Sequence, residues 1–252
     1  MNNYIDDTFN ILLIDNLFDL CKHTFYLYIL DNLIQLITTS KGRWYKIHFV
    51  VNSFTVYHIY NDVINMIIDP INNYVIFDSD DNMALNLMNY HLSLHVYHLL
   101  FFKNLNFWDY FHHIIFAFFG IIPGMLFTHS NQMYFQMISG GGLTGMIEYG
   151  SLSLVKHDII SKIIQKKLNL FLYIFIRLPI CITGSVYNML AYYNGYITDP
   201  LWITIYLNTL MYLNGTLFTY LTCDSYYKLI KSRETRKTRE THETRETRET
   251  TE

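Results

Sequence analysis

The chain has 252 residues, 51% of them hydrophobic and 17% aromatic, with a formal net charge of −3. Charge is sparse and unevenly placed: of 18 Lys and Arg, eight lie at or beyond Lys228, so the body is more apolar than the mean hydropathy of +0.14 suggests. This distribution excludes an ordinary soluble domain and, lacking any basic face with interleaved aromatics, gives no case for nucleic acid. It predicts an all-α fold, a polytopic membrane helix bundle with about seven transmembrane helices.

The N-terminal "MNNYIDDTFN" has no basic region of the kind that opens a signal peptide, so the first apolar run is expected to remain. Asp15, Asp19 and Lys22 fall one turn apart and predict a polar stripe on an interfacial helix leading into a first span at roughly 20–38. Further apolar windows of spanning length follow at roughly 46–68, 84–102, 107–128, 132–155, 168–190 and 200–223. The organisation is therefore an N-terminal segment with the first span at 1–39, a transmembrane domain at 40–230 and a charged tail at 231–252. Cys21, Cys181 and Cys223 sit in apolar runs as packing residues, not as a disulfide framework.

Loop charges set the orientation. Lys41, Arg43 and Lys46 follow span one, Lys103 follows span three, and Lys156, Lys162, Lys166 and Lys167 follow span five. The intervening loops, including 69–83 and 191–200, carry no Lys or Arg. By the positive-inside rule the basic loops and the C-terminus face the cytosol. Lys22, near the other end of span one, is the exception. The tail from Arg233 repeats Arg-Glu-Thr units without apolar residues, and predicts solvated disorder or a frayed helix. Asn214 opens an N-x-T sequon inside the last span, where it is not expected to be glycosylated.

Polar residues inside the spans carry the functional signal. At a rise of about 1.5 Å per residue, His112 and His113 fall about 8 Å inside span four and His98 about 6 Å inside span three. His95, Asn52, Glu148 and Arg177 fall about 9 to 14 Å deep. Ionisable groups at such depth face a cavity or one another. Glu148 and Arg177 read as a charge pair, and Asp109 as a carboxylate that orients an imidazole one turn on. The plainer alternative is that these groups only bond helices together, and His48 and His58 are read that way. "SGGGLTG" at 139–145 and Gly120–Gly124 around Pro123 mark close helix approach or a kink; no strand precedes the glycines and no GK[ST] follows, so they are not a phosphate loop.

"FWDYFHHII", with Asp109 three residues before paired histidines, resembles the TLC domain shared by ceramide synthases and other lipid-related membrane proteins. "RWYKIHFVVNS" (43–53) resembles the start of that family's second span, and "YHLSLHVYHLLFFK" (90–103) the span before its paired histidines. "MIEYGSLSL" (146–154), "FIRLP" (175–179) and "LTCDSYYKLIK" (221–231) resemble later segments in the same order, so the resemblance spans about residues 40 to 231. Departures accompany it. Asn52 and Leu94 stand where the family often has His and Asp, and "SGGGLTGM" lacks the acids and imidazole of ceramide synthases. The resemblance thus implies a lipid-related protein of the endoplasmic reticulum or a related endomembrane, outside the ceramide synthase branch.

Three functions follow as expectations. The first is binding or processing of a membrane lipid, of acyl-chain or sphingoid type, in a cavity near the cytosolic face. No cofactor or metal is assigned, and protein partners are left open. If acyl transfer occurs, His112 or His113 is the general base, Asp109 its orienter, and Arg177 the contact for an anionic headgroup or an acyl-CoA phosphate. The remaining cavity residues are Asn52, His95, His98 and Glu148. The second is a non-catalytic lipid sensor or trafficking adaptor. The third is a di-iron oxygenase using His91, His95, His98 and the paired histidines, although the further HxxHH box that such enzymes need is missing.

Overall fold

Seven helices account for the described residues, which in the computed structural model are 2–69, 72, 83–103 and 105–249. They are α1 (Asn2–Ile37), α2 (Arg43–Ile68), α3 (Met83–Phe101), α4 (Phe107–Phe127), α5 (131–156), α6 (Lys162–Tyr193) and α7 (Leu201–Glu249). No strand occurs among the described residues. Every apolar window expected from the sequence has its helix. By length and composition, α4 and α6 are apolar enough to cross a membrane.

Two findings refine the expectations at the ends. The segment preceding residue 20 is continuous with α1 rather than a separate interfacial helix, and Lys22 is ion-paired with Asp19 one turn back. The Arg-Glu-Thr tail, expected as solvated disorder or a frayed helix, instead continues α7 to Glu249; Arg, Glu and Lys are strong helix formers. The loop at 69–83 lies outside the described residues except for Asp69, Asn72 and Met83, as does the tail beyond Glu249.

Packing proceeds in pairs. α2 lies along the second half of α5, α6 along α7, and α1 along α3. A large apolar cluster that includes Ile59, Leu87, Phe135, Tyr187 and Met211 fills one half of the interior, away from the basic loops. Short polar clasps hold the two ends. At the basic end the buried Asp31 of α1 takes Arg43 of α2 as ion-pair partner and the Tyr97 hydroxyl of α3 at 2.5 Å. Lys41 pairs with Asp158 at 2.8 Å, bringing the α1–α2 and α5–α6 loops together and holding the exposed Asp158 carboxyl below its ordinary range. At the other end, Asp199 in the α6–α7 loop accepts the His129 backbone N–H (2.6 Å), the Ser130 hydroxyl (2.5 Å) and the Gln132 amide (2.7 Å).

Three helices widen into π-helical turns: α4 over His112–Ile121, α5 over Ile138–Gly142 and α6 over Tyr173–Arg177. The sequence supplies the reason in two of them. Pro123 and Pro179 have no N–H for the carbonyls four residues earlier, at Phe119 and Phe175, and their rings crowd those carbonyls. Both carbonyls fall inside the π turns, where the wider spacing relieves the clash. In the third, Gly140, Gly141 and Gly142 favour departure from regular helix. A hydroxyl serves a carbonyl within each turn: Tyr206 donates to Phe119 (2.8 Å), Thr144 to Ser139 (2.5 Å) and Thr219 to Tyr173 (3.3 Å).

The glycine run also permits close approach, as its composition implied. A Cβ at Gly141 would stand 2.5 Å from Cε1 of His91, a ring already tied to the Thr55 hydroxyl at 2.9 Å, whereas a Cβ at Gly140 meets nothing within 4 Å. We predict that Gly141→Ala lowers stability by about 1–3 kcal/mol through overpacking. Gly140→Ala should be neutral or stabilising by up to about 1 kcal/mol. Thermal melts of the two variants in one detergent check this; equal shifts would show that the close approach does not limit packing.

Candidate functional site

The three π turns surround one cavity of about 220 Å³, with His112, His113, Gly140, Gly141, Tyr173 and Arg177 among its lining residues. π-helical turns recur at functional sites because they displace side chains from the regular helical register. All eight residues expected to form a site line this cavity: Asp109, His112, His113, Asn52, His95, His98, Glu148 and Arg177. The depth count thus brought five helices to one place.

Their contacts differ from expectation in two respects. Asp109 does not hydrogen-bond an imidazole. It occupies the third position of α4, where its Oδ2 accepts the Asn106 backbone N–H at 3.0 Å while Asn106 Oδ1 accepts the N–H groups of Trp108 and Asp109. A carboxylate one turn into a helix completes a capping box and complements the helix dipole, and that is its role here. Nor do Glu148 and Arg177 form a direct ion pair. Tyr173 stands between them, its hydroxyl donating to Glu148 Oε2 at 2.5 Å and accepting from Arg177 Nη1 at 3.2 Å. Asn169 donates to the other oxygen of Glu148 at 2.7 Å, and Arg177 Nη2 donates to Asn214 Oδ1. The rings of Tyr173 and Phe218 lie against the guanidinium at 4.8 and 5.1 Å, which spreads its charge without a carboxylate in contact.

The histidines bond one another. His113 Nδ1 lies 2.6 Å from His95 Nδ1, and His113 Nε2 lies 2.7 Å from His98 Nδ1. An adjacent pair on a helix points about 100° apart, so His112 turns elsewhere and meets Phe218 of α7 edge-on at 5.2 Å. His98 stacks on Trp44 at 3.3 Å and His48 on Tyr149 at 4.1 Å. His48, read from the sequence as a helix contact, therefore belongs to the cavity wall, while His58 packs on Phe54 and Tyr57 away from it. Nitrogens of two ligands on one tetrahedral ion with bonds of about 2.0–2.1 Å stand about 3.3 Å apart. The 2.6 and 2.7 Å contacts are hydrogen bonds instead. Among the described residues no group of three or more His, Cys, Asp or Glu is arranged to hold a metal ion.

Four buried polar atoms on the cavity residues have no hydrogen-bond partner: Arg177 Nε, Asn52 Nδ2, His48 Nε2 and His112 Nδ1. Two are obligate donors and the imidazole nitrogens donate in one of their tautomers. Tyr173 and Asn214 are the site residues that sequence reasoning missed. Both left a signal: a tyrosine one turn before Arg177, and an amide within an apolar span that was weighed only as a sequon.

The fold and site define a seven-helix protein, among the described residues all-α, with a cavity between its helices lined by both polar and apolar side chains. Comparison with family models, characterised proteins and solved structures finds no match.

The Tyr173 bridge makes a specific prediction. Glu148→Gln and Arg177→Met should each destabilise the protein, with a coupling energy between them of about 0.5–3 kcal/mol. In a Tyr173→Phe background the coupling should fall below about 0.5 kcal/mol. Undiminished coupling in that background, read from a double-mutant cycle of thermal melts, would mean that the two charges interact without the hydroxyl.

Proposed function

We propose that the protein is a polytopic membrane protein that receives the polar end of a membrane lipid, of acyl-chain or sphingoid type, in this cavity. Four unpartnered polar atoms on cavity-lining residues of α2, α4 and α6 carry the reading. Leaving a buried donor unsatisfied costs about 1–3 kcal/mol, and a ligand rich in acceptor oxygens removes that cost at several of them together. Arg177, 3% exposed and without a carboxylate in contact, supplies the charge that favours an anionic or strongly dipolar headgroup.

The outer surface supports placement in a bilayer. Leu36 (82% exposed), Tyr57 (78%) and Ile68 (75%) stand outside the bundle, as do Ile114, Phe175 and Leu213. Apolar residues outside and histidine, arginine and amides inside is the distribution that suits lipid as solvent. The segments resembling the TLC domain contribute Asn52, His95, His113, Glu148 and Arg177 to the same cavity, which agrees with a lipid ligand. Ligand pockets for drug-sized molecules run to about 300–1,000 Å³. A cavity of about 220 Å³ therefore suits a headgroup or thioester end, with the acyl chain or the bulk of an acyl-CoA outside. In the proposed orientation the basic loops and the C-terminus are cytosolic, in the endoplasmic reticulum or a related endomembrane.

His113 has both nitrogens engaged by other rings, so it is not the group that meets the ligand. His112, with a free Nδ1, takes that place. Native mass spectrometry of gently extracted protein should show lipid bound to the wild type. A charge-assisted hydrogen bond is worth about 1.5–3 kcal/mol, so Arg177→Met should lower retained lipid per folded molecule by about 10- to 100-fold. Unchanged retention in folded Arg177→Met and Asn52→Leu would remove the basis of this reading. For orientation, a glycosylation acceptor introduced within 72–82 should be modified and one within 157–166 should not; the reverse pattern would invert the bundle.

A further inference from the structure

The three linked imidazoles have a property that no single histidine has. Each ring–ring contact holds one proton, because two N–H groups facing each other at 2.6 or 2.7 Å repel and two bare lone pairs do not bond. A neutral His113 brings one N–H to its two contacts, so the other contact must be filled by a terminal ring. Only two arrangements satisfy this. In one, His98 donates from Nδ1 to His113 Nε2, and His113 donates from Nδ1 to His95 Nδ1. In the other, every hydrogen bond is reversed. The first leaves His98 Nε2 as a bare lone pair and His95 Nε2 carrying hydrogen; the second exchanges them.

We propose that His98, His113 and His95 form a proton relay whose two open nitrogens present a base and an acid to the cavity at the same time. Both terminal rings line the cavity, and neither Nε2 has a hydrogen-bond partner among the described residues. A proton accepted at His98 Nε2 drives the His98 Nδ1 proton onto His113 Nε2. The His113 Nδ1 proton then passes to His95 Nδ1, and the His95 Nε2 proton leaves. One proton enters, one departs, and no ring retains a charge. The cost of burying an imidazolium is thereby avoided at rest, which matters in a site without a carboxylate on any of the three rings.

The geometry favours this state over a doubly protonated His113. That species would donate to both neighbours, but its nearest acid on the same helix, Asp109, is engaged in capping α4. The chemistry matched by such a relay is acyl transfer from a thioester to a hydroxyl or amine, in which the nucleophile loses a proton and the departing thiolate gains one. One end removes a proton from an attacking group while the other supplies one to a leaving group. His113 is in this account a positioning and relay residue, and the terminal Nε2 atoms are the groups that face a substrate. The relay rests on ring contacts alone and stands or falls separately from the identity of the lipid.

Histidine tautomers read it directly. In ¹⁵N-histidine-labelled protein in lipid nanodiscs, two-bond ¹H–¹⁵N correlations assign hydrogen to Nδ1 or Nε2 of each ring. His95→Gln and His98→Gln identify the signals. The expected result is opposed tautomers, with one of His95 and His98 carrying Nδ1–H and the other Nε2–H, or the two in exchange, and His113 neutral. His113→Leu should abolish the opposition, with loss of the Nδ1–H signal from the terminal rings. Nε2–H on both terminal rings of the wild type, or an imidazolium at His113, would overturn the proposal, and neither result depends on whether the Leu variant folds. Opposed tautomers in a protein that retains no lipid would leave the relay standing and remove the lipid reading.

Discussion

The contact of His113 with His95 and His98 organises the interior, because it joins α3 to α4 through a residue with no spare nitrogen. Once His113 is committed in both directions, its neighbour His112 is turned about 100° away and faces α7. The π-helical turn that begins at these histidines and ends before Pro123 shifts the register of α4, and Tyr206 of α7 serves the Phe119 carbonyl within it. α3, α4 and α7 are thus set against each other by a few polar contacts. Apolar packing alone would tolerate other rotations of the same helices.

Two buried carboxylates, Asp199 and Asp31, hold the two ends of the bundle. Asp199 is met by donors from the turn that joins α4 to α5, and Asp31 by Arg43 and Tyr97. Both carboxylates are buried and bonded by several groups, Asp199 through both oxygens and Asp31 through Oδ2, as the cost of an unpaired buried charge requires. Removing a partner from either leaves an uncompensated charge and should weaken the fold, not an activity. At the cavity, Arg177, Asn52, His48 and His112, from α6, α2 and α4, each retain an unpartnered atom.

Much of this was legible in the sequence. Helix number followed from apolar windows, one per helix, but the outer limits did not: α1 begins at Asn2 and α7 runs to Glu249, each well beyond its window. Counting depth from the basic loops placed Asn52, His95, His98, His113, Glu148 and Arg177 together correctly, because a helix converts residue number into height almost linearly. Height is not azimuth, and the errors came from there. Asp109 lies at the right level for His112 and His113, but the first turn of a helix offers a carboxylate free backbone N–H groups, and these won. Glu148 and Arg177 share a level too, yet Tyr173, one turn from Arg177, occupies the space between them. The π turns add a further displacement at each site, and their cause, a proline four residues beyond a crowded carbonyl, was visible as Pro123 and Pro179 but was read only as a kink at the first.

The central claim is that the open donors exist for a ligand, and a density map tests it most directly. The protein would be extracted into nanodiscs with its native lipid and imaged by electron cryomicroscopy at a resolution that separates waters from headgroup atoms. The account predicts continuous non-protein density within hydrogen-bond distance of Arg177 Nε and Asn52 Nδ2, extending from the cavity between helices toward the acyl region. A cavity filled only by discrete waters bonded to those atoms, or closed by rearranged side chains that pair them, would contradict it.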